Sequence, residues 1–145
     1  MTPSVTLHPG TAAPDYVETL LDRNGLPVRD VRAHPEAFHY ATVEGERIGV
    51  GGLERYDDVG LLRSVAVEAG KRGYGYGSEL CEALESKARA TGVETLYLLT
   101  TTASAFFAAQ GYAPIERTTV PDAIRKTTEF AELCPATATC MRKSL

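Results

Sequence analysis

The chain has 145 residues, the size of one domain with room for a real hydrophobic core, and is read as a single domain over residues 1–145. Its 43% apolar and 23% charged residues exclude disordered, collagenous and disulfide-scaffold classes. A net charge of −4, with only small basic clusters, argues against a nucleic-acid partner, because phosphate-backbone binding needs a basic footprint.

Met1 to Gly10 carries no charged n-region and no apolar h-region, so the expectation is a cytoplasmic protein. Cys81, Cys134 and Cys140 are an odd set without zinc spacing, which fits a reducing compartment and no metal site. Thr95 to Ile115 is free of charge, but polar residues interrupt it and its periodicity changes from strand-like to helical. It reads as a buried strand followed by a buried helix, not as a membrane span.

Thr2 to His8 alternates weakly and predicts a first strand closed by Pro9-Gly10. Pro14 suits a first helical position and Asp15 a first turn; Val17, Leu20, Leu21 and Asn24 share one face, and Gly25 is the stop. Glu36 to Val43 and Arg47 to Arg55 flank Glu44-Gly45-Glu46 and predict a hairpin. A turn at Tyr56-Asp57-Asp58 then leads into a strand from Gly60 to Val67. Gly49, Gly51 and Gly52 predict a bulge or the close approach of another group. After a glycine-rich stretch, a helix runs to about Ala90 with Gly77, Leu80, Cys81, Leu84 and Ala88 facing inward. Leu96 to Thr100 follows, and the intervening helix makes it a parallel neighbour of the strand ending at Val67. A short helix from Ala103 to Gln110 stops at Gly111. A helical pattern from Val120 through Ile124, Thr127, Thr128 and Ala131, ending before Pro135, and a strand from Thr137 to Arg142 close the chain.

The chemistry concentrates in Arg72-Gly73-Tyr74-Gly75-Tyr76-Gly77-Ser78. Glycine lets the backbone turn tightly and approach a ligand, so successive N–H groups can face one phosphate. The helix that opens here adds its positive dipole end and the unpaired donors of its first turn, a combination suited to a pyrophosphate. Lys71 and Arg72 add mobile charge. A flexible glycine-rich connection would carry the same string. A Walker loop fails because Tyr76 stands where its lysine belongs, and a Rossmann fingerprint fails on glycine spacing and on the meander that precedes it.

The residues Arg72, Gly75 and Gly77, preceded by the strand Ser64-Val65-Ala66-Val67, fit the pattern Arg/Gln-x-x-Gly-x-Gly/Ala. With Ala103 to Tyr112, a helix ending in Gly-Tyr, the chain resembles the GNAT superfamily of acetyl-CoA-dependent N-acetyltransferases. The resemblance implies an α+β fold with a mixed central sheet of about six or seven strands. An antiparallel N-terminal meander, a parallel strand pair flanking the acetyl-CoA cleft and helices on both faces complete it. Leu61-Leu62-Arg63-Ser64, Leu96 to Thr102, and Ile124 to Pro135 with Cys140-Met141-Arg142-Lys143 resemble the GNAT subgroup associated with arsenic-resistance gene clusters, itself similar to amino-acid acetyltransferases.

What the resemblance implies is acetyl transfer from acetyl-CoA, as co-substrate, to a small, amino-acid-like amine by direct attack in a ternary complex. Arg72, Gly73, Tyr74, Gly75, Tyr76, Gly77 and Ser78 would hold the pyrophosphate, and the backbone of Val65, Ala66 and Val67 would pair with the pantetheine arm. Glu54 is the candidate base, with a solvated strand-end carboxylate as the plainer alternative. The family's usual acid, a tyrosine, is replaced by Phe107; Thr100, Ser104 and Tyr112 are the alternatives. An amino-acid acceptor carries a carboxylate that a guanidinium fork would hold, and Arg63 and Arg125 are the candidates, with a salt bridge at a strand start and a solvated helix face beside Lys126 as their plainer alternatives. Neither a membrane nor a nucleic acid is an expected partner, and a homodimer is compatible with such a domain. The alternative to an enzyme is a silent acyl-CoA-binding sensor, for which Phe107 is the argument.

Overall fold

The structure, a computed structural model, describes residues 5–26, 28, 31–127, 130–131 and 137–145. The elements in chain order are β1 (Thr6–Pro9), α1 (Pro14–Arg23), β2 (Phe38–Val43), β3 (Glu46–Tyr56), β4 (Val59–Val67) and α2 (Tyr76–Ala90). They continue with β5 (Thr95–Thr100), α3 (Ser104–Ala109), β6 (Ala113–Pro114), α4 (Asp122–Arg125) and β7 (Thr139–Ser144). The strands form a seven-stranded sheet in the order β1-β2-β3-β4-β5-β7-β6. β4 and β5 are parallel, as the helical connection predicts, and β1/β2, β2/β3, β5/β7 and β6/β7 are antiparallel. Residue contacts divide the chain into two compact units, Met1–Leu53 with Ser64–Lys87 and Glu54–Arg63 with Ala88–Leu145, and β3 and β4 each run through both.

In the first unit, α1 forms because Pro14 fixes the first turn, Asp15 faces the positive end of the helix dipole and Arg23 the negative end. Its buried face of Val17, Leu20 and Leu21 packs with Phe38 and Val50 of the sheet, with Ala66 of β4, and with Val31 and Ala37. Glu44 and Gly45 take φ of 52° and 83°, the left-handed pair of a type I′ turn, whose twist matches the strands it joins. The register slips between Ala41↔Gly49 and Thr42↔Arg47, leaving Ile48 as the extra residue of a bulge. Both expectations for the β3 glycines are met side by side. A Cβ on Gly49 would run into the carbonyl oxygen of Ala66, and one on Gly51 would lie 2.5 Å from Leu84 Cδ1 of α2.

The second unit is built on β5, which pairs along its whole length with β7, from Thr95↔Ser144 to Thr100↔Thr139. Leu61, Tyr97, Leu99, Val120, Ile124, Phe130, Ala138 and Cys140 form its core. The parallel ladder of β4 with β5 joins Val59, Gly60 and Leu61 to Thr95, Leu96 and Tyr97. Beyond it, Ser64 takes φ 57° inside β4, a left-handed conformation that costs a non-glycine residue about 1–2 kcal/mol. α3 ends at Gly111, whose φ of 98° only glycine adopts freely.

Several boundaries differ from expectation; β3, β4 and β5 each begin one residue early, at Glu46, Val59 and Thr95. Pro35–Ala37 form a 3₁₀ turn, so β2 starts at Phe38 rather than Glu36; Pro35 has no N–H to give to a strand ladder. The helical pattern expected from Val120, ending before Pro135, opens as α4 (Asp122–Arg125). The Thr127 hydroxyl donates to the Ile124 carbonyl at 2.7 Å, and Phe130 and Ala131 are again helical, with the Ala131 N–H donating to the Thr127 carbonyl at 2.9 Å. The positions Thr128, Glu129 and 132–136, Cys134 among them, lie outside the described residues. The last strand runs over Thr139–Ser144 instead of starting at Thr137.

Two outcomes follow from this packing. Gly49→Ala should lower stability by about 1–3 kcal/mol, the scale of overpacking against atoms that cannot move aside, read as a lower urea midpoint. His39 is 7% exposed, with no hydrogen-bond partner for Nδ1 among the described residues, and burial, then the nearby Lys87 charge, lowers its pKa from the ordinary 6.5. The folded state therefore keeps it neutral. That contribution is complete above about pH 6.5 and is lost as pH falls from there through the lowered value, because the unfolded chain takes up the proton first. His39→Phe should flatten the fall in urea midpoint between about pH 7.5 and about pH 5.5; an unchanged fall would rule His39 out as its source.

Candidate active site

The connection from β4 to α2 carries the glycine-rich stretch expected to hold a phosphate. Gly73 and Gly75 take φ of 87° and 78°, which turns the backbone back on itself within a few residues. Among the described residues, no atom lies within 4 Å of an ideal Cβ on Gly70, Gly73 or Gly75. Gly73 and Gly75 are therefore required by backbone conformation and not by crowding. The Glu79 N–H donates to the Gly75 carbonyl at 3.2 Å, which leaves the N–H groups of Tyr76 and Gly77 ahead of the intrahelical ladder. Loop geometry and donor chemistry thus fit a pyrophosphate.

The cations at the rim are held by named partners. Arg72 Nη2 donates to Asn24 Oδ1, while Asn24 Nδ2 donates to the Leu20 carbonyl at 2.8 Å; one amide therefore caps the end of α1 and restrains the loop arginine. Lys71 Nζ bonds Glu46 Oε2, which pushes the lysine pKa up and the glutamate pKa down. Glu68 accepts from the Tyr16 hydroxyl at 2.8 Å, and the Arg47 guanidinium lies 4.7 Å above the Tyr16 ring and 5.2 Å above that of Tyr40. Burial first and the Glu68 carboxylate second raise the Tyr16 pKa. In β4, Ala66 is buried and Val65 and Val67 are half-buried.

Glu54 and Arg63 are brought together. Arg63 Nη1 donates to Glu54 Oε2 at 3.0 Å, with the arginine side chain 0% and the glutamate side chain 15% exposed. Tyr56 donates its hydroxyl to the other oxygen, Oε1. Glu54 is therefore not a solvated strand-end carboxylate, and Arg55 turns away from it to donate to the Asp57 carbonyl at 3.3 Å. Arg63, expected as a fork for the acceptor's carboxylate, instead grips a carboxylate of its own chain. Sequence reasoning missed Tyr56 and Asn24. The two-residue period of a strand puts Glu54 and Tyr56 on one face, which was the available signal for the first.

Arg125 lies on α4 with its side chain half exposed and pairs with Asp122 one turn earlier, which lowers the Asp122 pKa. Phe107, at the position of the usual acid, is buried edge-on between Phe106 and Tyr112, at 5.1 and 5.8 Å between centroids. Thr100 Oγ1 accepts the Ala103 N–H at 3.0 Å and so shapes the entry to α3; Ser104 is exposed and Tyr112 is buried. Cys81 and Cys140 are buried, with no disulfide among the described residues.

The acetyltransferase (GNAT) family model matches residues 8–113. An amino-acid acetyltransferase of Pseudomonas syringae pv. syringae is 32% identical over 111 residues, covering 72% of this chain and 26% of that protein. Its counterpart in Pseudomonas fluorescens (strain Pf0-1) is 34% identical over 100 residues, covering 65% and 23%. The chain thus spans about a quarter of the length of these curated relatives. N-acetylglutamate synthase from Neisseria gonorrhoeae, solved with coenzyme A and N-acetyl-glutamate, superposes with TM-score 0.83 at 21% identity, over 100% of this chain and 36% of that one. A Mycobacterium tuberculosis protein solved with CoA gives 0.78 at 22% identity, over 97% and 99%. These two superpositions establish a common fold. The chain belongs to the acetyltransferase (GNAT) family.

Arg63→Met should destabilise the protein by about 3–5 kcal/mol, because it leaves the Glu54 carboxylate buried without its counter-charge. The double change with Glu54→Gln should recover most of that loss. Urea unfolding of both variants checks this, and additive losses would mean that the pair is not coupled.

Proposed function

We propose that residues 1–145 act as one acetyltransferase domain that moves an acetyl group from acetyl-CoA to the amine of an amino-acid-like acceptor, by direct attack in a ternary complex. The observation that carries the reading is the left-handed Gly73/Gly75 loop opening onto α2 directly after β4, in a chain whose residues 8–113 match the family model. When bound, acetyl-CoA supplies the activated acyl group and a thiol leaving group.

The chain's own residues have separate tasks in this reading. N–H groups from Gly73 to Ser78 and the Arg72 guanidinium bind the pyrophosphate, and the Val65–Val67 backbone pairs with the pantetheine arm. Glu54 takes the proton of the acceptor ammonium, directly or through one water; an α-amino group of pKa near 8 needs only a modest base. Its two oxygens each accept one hydrogen bond already, from Tyr56 and Arg63, and a carboxylate has about four acceptor sites, so capacity remains. Arg63 and Tyr56 orient it. Arg125 is the candidate fork for an acceptor carboxylate. Phe107 donates no proton, and none is needed, since a thiol of pKa near 8.5 departs readily as the thiolate.

The similarity to amino-acid acetyltransferases favours an amino acid over other amines as acceptor. The arsenic-linked subgroup is part of the same proposal and rests on the motifs around Arg63, Leu96 to Thr102 and Ile124 to Pro135. A cytoplasmic location accords with the described residues, in which no helix is long and apolar enough to cross a membrane.

Acetyl-CoA-dependent thiol release across a panel of amino acids and amine-bearing toxicants tests the reading. Turnover on at least one amino acid is expected; CoA binding with no turnover on any acceptor would instead support the silent sensor. Gly75→Val should raise the KM for acetyl-CoA at least tenfold, since a β-branched residue cannot hold φ near 78°, while leaving the acceptor KM close to that of the wild type. An unchanged acetyl-CoA KM would remove the loop from the donor site.

A further inference from the structure

Among the described residues, Tyr74 is the large apolar side chain left exposed, at 66%. A ring of that size in water has no folding role of its own. Its place is specific. It sits between Gly73 and Gly75, the two left-handed residues of the phosphate loop, so its Cα is about 3.8 Å from that of each. Its ring lies on that of Tyr76 with centroids 5.8 Å apart and planes inclined by 27°. Tyr76 is half-buried at the first residue of α2, and so forms a fixed floor under one face of Tyr74. Tyr74 as a whole stays exposed despite this stack, and Lys71 and Arg72 precede it by three and two residues.

We propose that the outer face of Tyr74 is a stacking platform for the purine base at the nucleotide end of the acyl carrier, which makes it the residue that selects a CoA thioester over a phosphopantetheine arm without a nucleoside. The inference rests on the donor reading above and goes beyond it. The loop's N–H groups and cations can bind a phosphate, but they cannot tell which group is attached to it. A base one ribose away from a phosphate held at Gly73 to Gly77 lies within reach of a side chain that projects from the same loop. A flat, exposed ring with its underside already supported loses little conformational freedom when a base covers it. Neutral stacking adds affinity without adding charge to a rim where Lys71 and Arg72 already have partners.

Equilibrium binding to the full chain by isothermal titration calorimetry tests this with CoA and with 4′-phosphopantetheine, which keeps the arm and a phosphate but has no base. Tyr74→Ala should weaken CoA binding about tenfold, the scale of one base–aromatic stack, and change phosphopantetheine binding by less than about twofold. Tyr74→Trp should keep or tighten CoA binding. Tyr74→Gln, of similar reach but with no ring face, should match the alanine variant, so that a local folding defect in one variant does not decide the result. Unchanged CoA affinity in Tyr74→Ala and Tyr74→Gln, or equal losses for both ligands, would overturn the platform and leave the donor reading standing. Wild-type protein that binds neither ligand would overturn the donor reading and the platform with it.

Discussion

The passage from β4 to α2 depends on two residues at positive φ. Gly73 at 87° and Gly75 at 78° reverse the chain after the 3₁₀ turn at Ala69–Lys71 and deliver it to the first turn of a helix. Because no atom of the described residues approaches the missing Cβ positions of these two glycines, packing does not explain them. Backbone conformation does. The same strand carries a third left-handed residue, Ser64 at 57°, just past the end of its parallel ladder with β5 at Leu61. A serine held there without the freedom of glycine stores about 1–2 kcal/mol, which the surrounding sheet sustains.

Electrostatics on either side of that strand follow one rule: a buried or half-buried charge has a partner. Arg63, without solvent exposure, is matched by Glu54, and Glu68 receives the Tyr16 hydroxyl. On the exposed rim, Lys71 and Arg72 rest on Glu46 and Asn24, contacts that solvent screens and an incoming phosphate can replace. Strong, buried pairs therefore set the shape of the candidate base, and weak, exposed ones hold the cations of the candidate donor site. That division is what an enzyme needs if its base must stay oriented while its anion site exchanges ligand.

Much of this was legible from residue order because it is written in local chemistry. Pro14 with Asp15, Glu44-Gly45, and the alternation of glycines from Gly73 to Gly77 each name a helix start, a type I′ turn and a loop by backbone rules alone. The parallel β4/β5 pair followed from the helix between them. What escaped were contacts set by tertiary packing. Arg63 was read as a ligand for a substrate carboxylate, with a salt bridge at the strand start as the plainer alternative, and it pairs with Glu54. A turn confined to Asp57-Asp58 would have paired Glu54 with Leu61 and put Arg63 two residues further along the same face, so the pair was within reach of strand arithmetic. The Asn24 bridge to Arg72 joins residues far apart in the chain and has no local signal. The helical periodicity after Val120 is met by α4 and again at Phe130 and Ala131.

The claim on which the account rests is that the loop between β4 and α2 binds a pyrophosphate through its backbone. ³¹P NMR of CoA titrated with the full chain reads this at the phosphorus atoms themselves. The account predicts that the two pyrophosphate resonances shift and saturate together, and that they revert when inorganic pyrophosphate is added in excess. Pyrophosphate resonances that stay at their free positions while CoA is demonstrably bound would contradict it, because the ligand would then be held by some other part of the protein.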